Sequence, residues 1–345
     1  MSQRNKLLVT LATAAACSLV AAAVAVAATI IGTPNADTLT GTGDPDTIRS
    51  LAGNDRVRAL GGGDDVELGR GNDRARGGDG ADTVKGQRGR DRVFGGNGDD
   101  ELLGGFGRDR LIGGQDEDTL RGGGGLPGQR GDRLHGGPDN DNVFGGLGKD
   151  YLTGNGGNDH LEGGRGCDGV YAGPGNDTLE GGPGGPHRRP YCDRLHGGRG
   201  NDQSEGGAGR DRMSGGRGDD VQNGGPGRDV IFANLGVDQS FGGTGNDRLW
   251  ALAKGDVAFA GDPVGDSLDG GAGNDRFRVR DGEVDRITCG DGFDRVFADQ
   301  FDVITDATVA DPTGSCESVR RLDASVQSDA EENATQSPQL DAHQQ

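Results

Sequence analysis

The chain has 345 residues, a formal net charge of −20 and 72 glycines, while only 30 % of its residues are hydrophobic and 4 % are aromatic. Such a composition buries little apolar area and repels itself, so it excludes an ordinary compact domain built around a large apolar core. It is typical of a disordered chain, or of a fold whose stability has another source.

The N-terminal segment has the composition of a secretory leader. Arg4 and Lys6 precede an apolar run over residues 7–27, whose last residues are small enough for a cleavage site. We therefore predict that residues 1–28 are a signal peptide and that the protein is secreted. The alternative is an uncleaved membrane anchor, because residues 7–31 are long enough to span a bilayer.

After the leader, an aspartate returns at every ninth residue. The run is unbroken from Asp37 to Asp118, resumes after insertions of five and seven residues, and fades at Asp294, which makes 28 units. Most units follow the pattern G-G-x-G-x-D-x-U-x, in which U is an aliphatic residue such as Val57 or Leu102. A chance match to one unit is common, but 28 matches in near-constant phase indicate a repeat architecture.

Each position of the unit has a physical role. Glycines permit a tight turn with backbone dihedral angles that a side chain would forbid, and such a turn exposes several carbonyl oxygens. The aspartate adds an anionic oxygen, and carbonyl and carboxylate oxygens together are the ligands that Ca²⁺ prefers. The x-U-x triplet suits a minimal strand whose middle side chain points opposite to its neighbours, so we predict that U is buried.

This unit resembles the calcium-binding nonapeptide repeat of haemolysin-type, or RTX, proteins. The resemblance covers residues 32–298 and implies an all-β fold, a right-handed parallel β-roll with two units per coil and several Ca²⁺ ions between neighbouring turns. Calcium binding would then supply free energy for folding, because the unfolded chain contains no preformed site. With about 4.8 Å between stacked strands, the rod would be on the order of 65 Å long.

The units differ in how completely they keep the glycine-rich turn. Turns that have lost their glycines, such as those before Asp55, Asp256 and Asp285, are expected to preserve the coil without holding an ion. Arginine flanks many aspartates, as at Arg92 and Arg212, where it could balance the acidic charge or lower the affinity. The aspartates that end complete turns, and are therefore the predicted calcium ligands, are Asp82, Asp100, Asp109, Asp150, Asp168, Asp202, Asp211, Asp220, Asp229, Asp247 and Asp275.

Four cysteines follow the leader, an even number that suits an oxidising compartment. Cys167 and Cys192 each precede the aspartate of units that are two apart. With two units per coil, as the resemblance implies, these cysteines would be stacked neighbours within disulfide range. By elimination, Cys289 would pair with Cys316 near the C-terminus, and the alternative for both pairs is free thiols.

The repeat pattern is lost near the C-terminus. Residues 299–319 contain apolar side chains, among them Phe301 and Ile304, that could cover the open end of the roll, so we predict a cap. Residues 320–345 are rich in acidic residues, Gln and Ser, and we predict that they form a disordered polar tail.

The sequence contains no signature of a catalytic centre. There is no G-x-S-x-G elbow, H-E-x-x-H zinc helix or Walker loop, and the five histidines do not cluster. We therefore expect no enzyme, but an extracellular calcium-binding protein with a structural or cell-surface role. We expect no nucleic-acid partner, and no membrane contact after the leader is cleaved.

Two other functions stay open from the sequence. The chain could be an adhesin or glycan-binding spacer that calcium stiffens, or a non-catalytic fragment of an RTX-type exoenzyme or toxin. A regular row of exposed aromatic residues would favour glycan binding, but Tyr151, Tyr171, Tyr191 and Trp250 form no such row in the repeat. The biological partner therefore cannot be named from the sequence.

Overall fold

The computed structural model describes residues 27–124, 131–184, 192–251, 265–305 and 315–321. In these segments the chain winds into a β-solenoid of about 14 turns, in which each coil adds one strand to each of two long parallel sheets. The described residues contain no helix that is long and apolar enough to cross a membrane. The predicted leader (residues 1–28) lies almost entirely outside the described residues, and so does the predicted polar tail.

Sheet 1 has 16 strands in the described part of the chain, and all its pairings are parallel. With strands numbered in chain order, they are β1 (Thr29–Ile31), β3 (Thr47–Arg49), β5 (Asp65–Glu67), β6 (Arg70–Gly71), β8 (Thr83–Gly89), β10 (Glu101–Gly107), β12 (Thr119–Gly124), β14 (Asn142–Gly148), β16 (His160–Gly166), β18 (Thr178–Glu180), β20 (Gln203–Glu205), β22 (Val221–Asn223), β25 (Gln239–Phe241), β28 (Ser267–Asp269), β31 (Arg286–Thr288) and β33 (Val303–Ile304).

Sheet 2 has 15 described strands and forms the opposite wall of the solenoid. They are β2 (Thr38–Thr40), β4 (Arg56–Gly61), β7 (Arg74–Asp79), β9 (Arg92–Asn97), β11 (Arg110–Gln115), β13 (Arg133–Gly137), β15 (Tyr151–Asn155), β17 (Gly169–Pro174), β19 (Arg194–Arg199), β21 (Arg212–Arg217), β24 (Val230–Leu235), β27 (Arg248–Trp250), β30 (Arg276–Val279), β32 (Arg295–Ala298) and β34 (Ser318–Arg321). A small third sheet in the turns contains β23 (Pro226–Gly227), β26 (Thr244–Gly245) and β29 (Ala272–Gly273).

The register of both sheets shows that two nonapeptides complete one coil. In sheet 1, Val84 pairs with Leu102 and Leu102 pairs with Leu120, so successive strands are offset by 18 residues. The five-residue insertion does not disturb this register, because Leu111 of sheet 2 pairs with Leu134 across it. The prediction of an all-β parallel β-roll with two units per coil is therefore confirmed.

The interior contains the aliphatic residue of each triplet, as the repeat predicts. One apolar cluster of buried residues extends from Ile48 to Ile231, and a second extends from Leu249 to Cys316. In three successive coils near the boundary of the two clusters, the inward residue of the sheet 1 strand is polar. These buried residues are Ser204, Gln222 and Ser240.

Gln222, a residue of sheet 1, is linked to sheet 2 through hydrogen bonds of its side-chain amide. With its amide oriented to satisfy its neighbours, Nε2 donates to the carbonyl of Phe232 at 3.0 Å. Its Oε1 accepts from the amide of Gly215 at 2.8 Å. A buried amide costs free energy unless it is hydrogen-bonded, and here two backbone groups of sheet 2 satisfy it.

We predict that Gln222→Leu destabilises the roll although leucine is the more typical core residue. The substitution leaves the Gly215 amide and the Phe232 carbonyl without their partner, at a cost of about 1–3 kcal/mol for each buried group. Urea unfolding in saturating calcium measures the effect. Ser204→Ala, which removes an inward hydroxyl one coil earlier, serves as the control, and a stabilised Gln222→Leu variant would contradict the role given to the amide.

Two disulfides join neighbouring coils. Cys167 and Cys192 are bonded with their Cα atoms 4.3 Å apart, and Cys289 and Cys316 are bonded with their Cα atoms 5.3 Å apart. The first pair is the one that the repeat phase predicts, and the second is the one that was predicted by elimination. The first bridge spans the seven-residue insertion, most of which (residues 185–191) lies outside the described residues.

We predict that the double variant Cys167→Ser/Cys192→Ser still folds but needs more calcium to do so. The bond closes a loop with a sequence separation of 25 residues. A loop of this size contributes about 3 kcal/mol by constraining the unfolded chain. A calcium titration followed by circular dichroism should show a higher midpoint. Non-reducing peptide mapping of the wild type is the companion measurement, and recovery of Cys167 linked to Cys289 would refute the two-unit stacking.

The described parts of residues 299–319, which were predicted to cap the roll, add one further strand to each of the two sheets. Strand β33 pairs with β31, and β34 pairs with β32, both in parallel. The backbone N–H of Asp285 donates to Asp302 at 3.3 Å, and that of Asp294 donates to Glu317 at 2.6 Å. Asp302 and Glu317 thus take the place of the repeat aspartate, and the coil extends beyond the last recognised unit.

Candidate metal centres

An aspartate ladder runs along each edge of the solenoid. From Asp55 onward, in the part of the chain that the structure describes, the Oδ1 atom of a repeat aspartate accepts a hydrogen bond from the backbone N–H of the aspartate one coil earlier. Asp100 accepts from Asp82 at 2.8 Å, and Asp118 accepts from Asp100 at 2.9 Å. The ladder crosses an insertion unchanged, since Asp193 accepts from Asp168 at 2.6 Å. The aspartate therefore satisfies a buried backbone amide that would otherwise lack a partner.

The second carboxylate oxygen of these aspartates, Oδ2, takes no part in the ladder hydrogen bonds. In the part of the chain that the structure describes, most ladder aspartates have a buried Oδ2 without a hydrogen-bond partner. The residues themselves are almost fully buried, as Asp202 and Asp229 show with exposures of 1 % and 0 %. An anionic oxygen in this position is costly unless a proton or a cation neutralises it.

Carbonyl oxygens lie close to the unpartnered carboxylate oxygens. A Cβ placed on Gly104, the first glycine of its turn, would lie 2.7 Å from Oδ2 of Asp109 and 2.8 Å from the carbonyl oxygen of Gly122. The same arrangement recurs at Gly224. Glycine is therefore required because oxygens from two neighbouring coils line the space that a side chain would fill. A carbonyl and a carboxylate oxygen together suit Ca²⁺.

All eleven predicted ligands occupy this position in the ladders, with Oδ2 buried and unpartnered. The same is true of aspartates in incomplete turns, including Asp55, Asp73 and Asp91. The reason is that other residues adopt the positive φ of the second glycine, for example Gln87 at 71° and Asn155 at 86°. The geometry alone thus does not rank the turns, and their ranking by completeness stays a prediction. Asp256 lies outside the described residues, and the ladders pass over it, because the amide of Asp238 donates to Asp266 and that of Asp247 donates to Asp275. The prediction of a repeat unit at Asp256 that keeps the coil is therefore wrong.

A carboxylate cluster lies where the sequence analysis expected no ion. Asp281, Glu283 and Asp285 place one ligand oxygen each within 4.8 Å of the others. Asp285 is fully buried, and its Oδ1 accepts from the amide of Asp266 at 2.8 Å. In this glycine-poor turn additional acidic side chains supply oxygens in place of carbonyls. The acidic residues at alternate positions, D-x-E-x-D, are the signal that could have identified it.

A second ladder of asparagines runs outside the aspartate ladder and was not anticipated. The backbone N–H of Asn158 donates to Oδ1 of Asn140 at 2.6 Å, that of Asn176 to Asn158 at 2.8 Å, and that of Asn201 to Asn176 at 2.8 Å. These bonds run in the opposite direction to those of the aspartates. The frequent asparagine immediately before the repeat aspartate is the sequence signal for them.

Burial raises the pKa of many ladder aspartates, among them Asp82, Asp100, Asp118 and Asp229, far above the ordinary value for a carboxyl group. Desolvation is the largest cause and the backbone hydrogen bond opposes it, while neighbouring aspartates add to the increase. The pKa of Asp82 is raised to about 6, that of Asp100 to about 7, and those of Asp118 and Asp229 to about 8. Many of these groups therefore hold a proton at neutral pH in the metal-free roll, and a cation must displace it.

We predict that the metal-free roll loses stability as the pH rises. An unfolded aspartate has a pKa of about 3.9, so the folded chain binds more protons between that pH and the raised values. The contribution of these bound protons to the free energy of unfolding is therefore present near pH 4 and is lost as the pH passes through about 6 to 8. Calcium-free protein should show more β structure by circular dichroism at pH 4.5 than at pH 8.

The same linkage requires that calcium binding at pH 7 releases protons. Calorimetric titrations in buffers of different ionisation enthalpy measure this release. The Asp220→Asn variant, which has one fewer ladder carboxylate, should release fewer protons than the wild type. Calcium binding without proton release would contradict the raised pKa values.

Comparison with known families agrees with this geometry. No curated protein matches the chain. The model of the RTX calcium-binding nonapeptide repeat, in four copies, matches most of the chain, at residues 31–66, 67–102, 94–125, 128–161, 135–170, 153–185, 193–222, 214–249 and 265–283. These matches coincide with the coils that contain the aspartate ladders, and the chain therefore belongs to the RTX calcium-binding nonapeptide repeat family.

Proposed function

We propose that this protein is a secreted calcium-binding β-roll that folds as it binds several Ca²⁺ ions, and that its role is structural or at the cell surface. The observation that carries the proposal is the buried, unpartnered Oδ2 that recurs in coil after coil beside carbonyl oxygens. A bound cation would neutralise each of these oxygens. The kind of ligand available supports calcium in particular. The ligands on offer are all oxygens, many of them carbonyls, which Mg²⁺ binds poorly because it retains its waters.

Electrostatics supports coupling between ion binding and folding. Without cations, the folded roll would place carboxylates about one strand spacing, roughly 4.8 Å, apart along both edges. At neutral pH these groups must either hold protons or repel each other in a desolvated environment. An ion shared by two aspartates would neutralise both, so its binding free energy becomes folding free energy.

Two features support an extracellular location. The apolar run of residues 7–27 suits a Sec-type leader. Disulfides persist in oxidising compartments, and the described coils contain two of them. The proposal assigns the chain no catalytic activity, so any enzyme or toxin function would belong to another polypeptide segment.

A glycan-binding role is the second candidate, and the structure adds an observation in its favour. The rings of Tyr151 and Tyr171 lie 5.1 Å apart, and His135 and His196 continue the contact on either side. We call these four residues the aromatic patch. No regular aromatic row was predicted from the sequence, and the two tyrosines do occupy different positions of the unit. They meet because Tyr151 begins β15 while Tyr171 is the third residue of the next strand, β17.

The test of calcium-dependent folding uses the chain without its leader. We expect a largely unfolded spectrum in chelator and a cooperative gain of β structure at roughly 10⁻⁴ to 10⁻³ M Ca²⁺, the range of extracellular modules. Mg²⁺ at the same concentrations should not substitute for it. An unchanged circular dichroism spectrum in excess chelator at pH 8 would refute the proposal.

A matched pair of neighbouring aspartates tests the ligand assignment. Asp220→Asn keeps an acceptor for the Asp202 amide, bonded at 2.8 Å, but removes the anionic oxygen. We expect fewer bound ions by calorimetry and a higher calcium midpoint. Asp219→Asn removes the same charge from an exposed side chain that accepts from Val237 at 3.0 Å, and it should behave as the wild type. Equal effects of both variants would show that net charge, and not the ladder oxygen, governs binding.

A further inference from the structure

The outer face of sheet 2 carries an uninterrupted row of arginines. The first residue of five successive strands is an arginine, and each is the direct partner of the next across the sheet. We call these residues the arginine row: Arg56, Arg74, Arg92, Arg110 and Arg133. At the equivalent positions, sheet 1 has no arginine in the coils alongside: its residues there are Thr47, Asp65, Thr83, Glu101 and Thr119.

The arginine row is exposed and lacks acidic partners. All five side chains are solvent-exposed. On sheet 1, by contrast, Arg49 pairs with Glu67 and Lys85 pairs with Asp65. Within the described coils, no carboxylate lies within 4.0 Å of a guanidinium nitrogen of the row. The charge of the row is therefore available to a partner.

Such a row has an electrostatic cost. Adjacent strands lie about 4.8 Å apart, which is shorter than the screening length of about 8 Å at physiological ionic strength. Like charges directly opposite each other on neighbouring strands are destabilising. An anion with a similar repeat along the roll axis would convert this repulsion into attraction.

Calcium binding would make the basic face dominant. If calcium neutralises the 27 repeat aspartates other than Asp256, the 29 remaining acidic residues face the 34 basic residues that stay after the leader is removed with Arg4 and Lys6, so the loaded mature chain has a small excess of positive charge in spite of its formal charge of −20. This step depends on the proposed function. The arginine row would then lie on a cationic rod, and no general repulsion would keep a polyanion away.

The arginine row leads into the aromatic patch. Arg133 is the direct partner of Tyr151 in the next coil, and His135 lies two residues farther along the same strand. An open depression of about 420 Å³ is lined by four residues of the row, Arg56, Arg74, Arg92 and Arg110, together with Arg58, Arg76 and other side chains of this face. The face therefore offers guanidinium groups in line with flat rings, a combination that suits charged sugars.

We propose that the outer face of sheet 2, from Arg56 to His196, binds a linear acidic polysaccharide. Its carboxylate or sulfate groups pair with the arginine row, where guanidinium groups can form bidentate hydrogen bonds. Its sugar rings pack on the aromatic patch. An extended chain of pyranose rings advances by about one strand spacing per sugar, so its acidic groups can stay in register with the coils. The phosphates of one strand of duplex DNA advance by about 3.4 Å along the helix axis and therefore fall out of register with the coils.

The experiment measures binding of the leader-less, calcium-loaded protein to chondroitin sulfate and to heparin, which carry on average at least one acidic group per sugar, by calorimetry, with neutral dextran as the blank. The triple variant Arg74→Gln/Arg92→Gln/Arg110→Gln should bind about tenfold more weakly, as expected for the loss of three exposed ion pairs. The control, Arg121→Gln/Arg165→Gln/Arg286→Gln, removes the same charge from exposed positions of sheet 1 and should retain wild-type affinity. Tyr151→Ala/Tyr171→Ala should weaken binding to the polysaccharides but not to inorganic polyphosphate.

Several results would overturn the proposal. Equal binding by both triple variants would show that the arginine row is not the site, and tighter binding of single-stranded DNA than of either polysaccharide would assign the face to nucleic acid. Salt-sensitive self-association that disappears in the first triple variant would assign it to a second copy of this chain. Circular dichroism of each variant in a calcium titration without polysaccharide separates these outcomes from a failure of calcium-dependent folding.

Discussion

The rest of the structure depends on a carboxylate that uses its two oxygens differently. In the Asp82–Asp100 step, Oδ1 of Asp100 completes the backbone hydrogen bonding of the coil before it, and Oδ2 is left buried without a protein partner. The first bond fixes the turn and excludes water from the second oxygen. Because the same side chain both closes the turn and buries an oxygen that a proton or a cation must neutralise, we infer that coil formation is coupled to ion binding at neutral pH. A chain with few apolar residues can therefore maintain a long solenoid.

The architecture could be predicted from the sequence because the unit has constant length. A nine-residue beat with one inward aliphatic residue per unit permits two units per coil, and every coil then repeats the same register, as Val84, Leu102 and Leu120 show. The cysteine pairing could be predicted for the same reason, since phase alone brings Cys167 and Cys192 together. The insertions do not alter the register, because the strands before and after an insertion still pair at equivalent residues, as Leu111 and Leu134 do.

Three features could not be predicted, and in the first two the structure keeps a position of the unit while the residue at that position changes. Gln87 adopts the positive φ of a glycine, so an incomplete turn keeps its shape. Glu317 accepts the ladder hydrogen bond in place of aspartate, so the roll extends past the last recognisable unit. Tyr151 and Tyr171 occupy different positions of the unit, yet their side chains meet because the neighbouring strands are in contact. A repeat pattern describes the unit and does not describe contacts between unlike positions.

The coil of two units separates the edges of the rod from its faces. In the described coils, both units contribute an aspartate turn to an edge, so the same arrangement of carboxylate oxygens recurs along both edges. Alternate units supply the two faces, so sheet 2 can carry Arg74 and Arg92 while sheet 1 carries Asp65 and Thr83 at the equivalent positions. The outward residues of the triplet belong neither to the core nor to the turns. The faces can therefore acquire different charges and different partners without any change to the calcium-binding edges, and ion binding then keeps those outward side chains at the spacing of the coils.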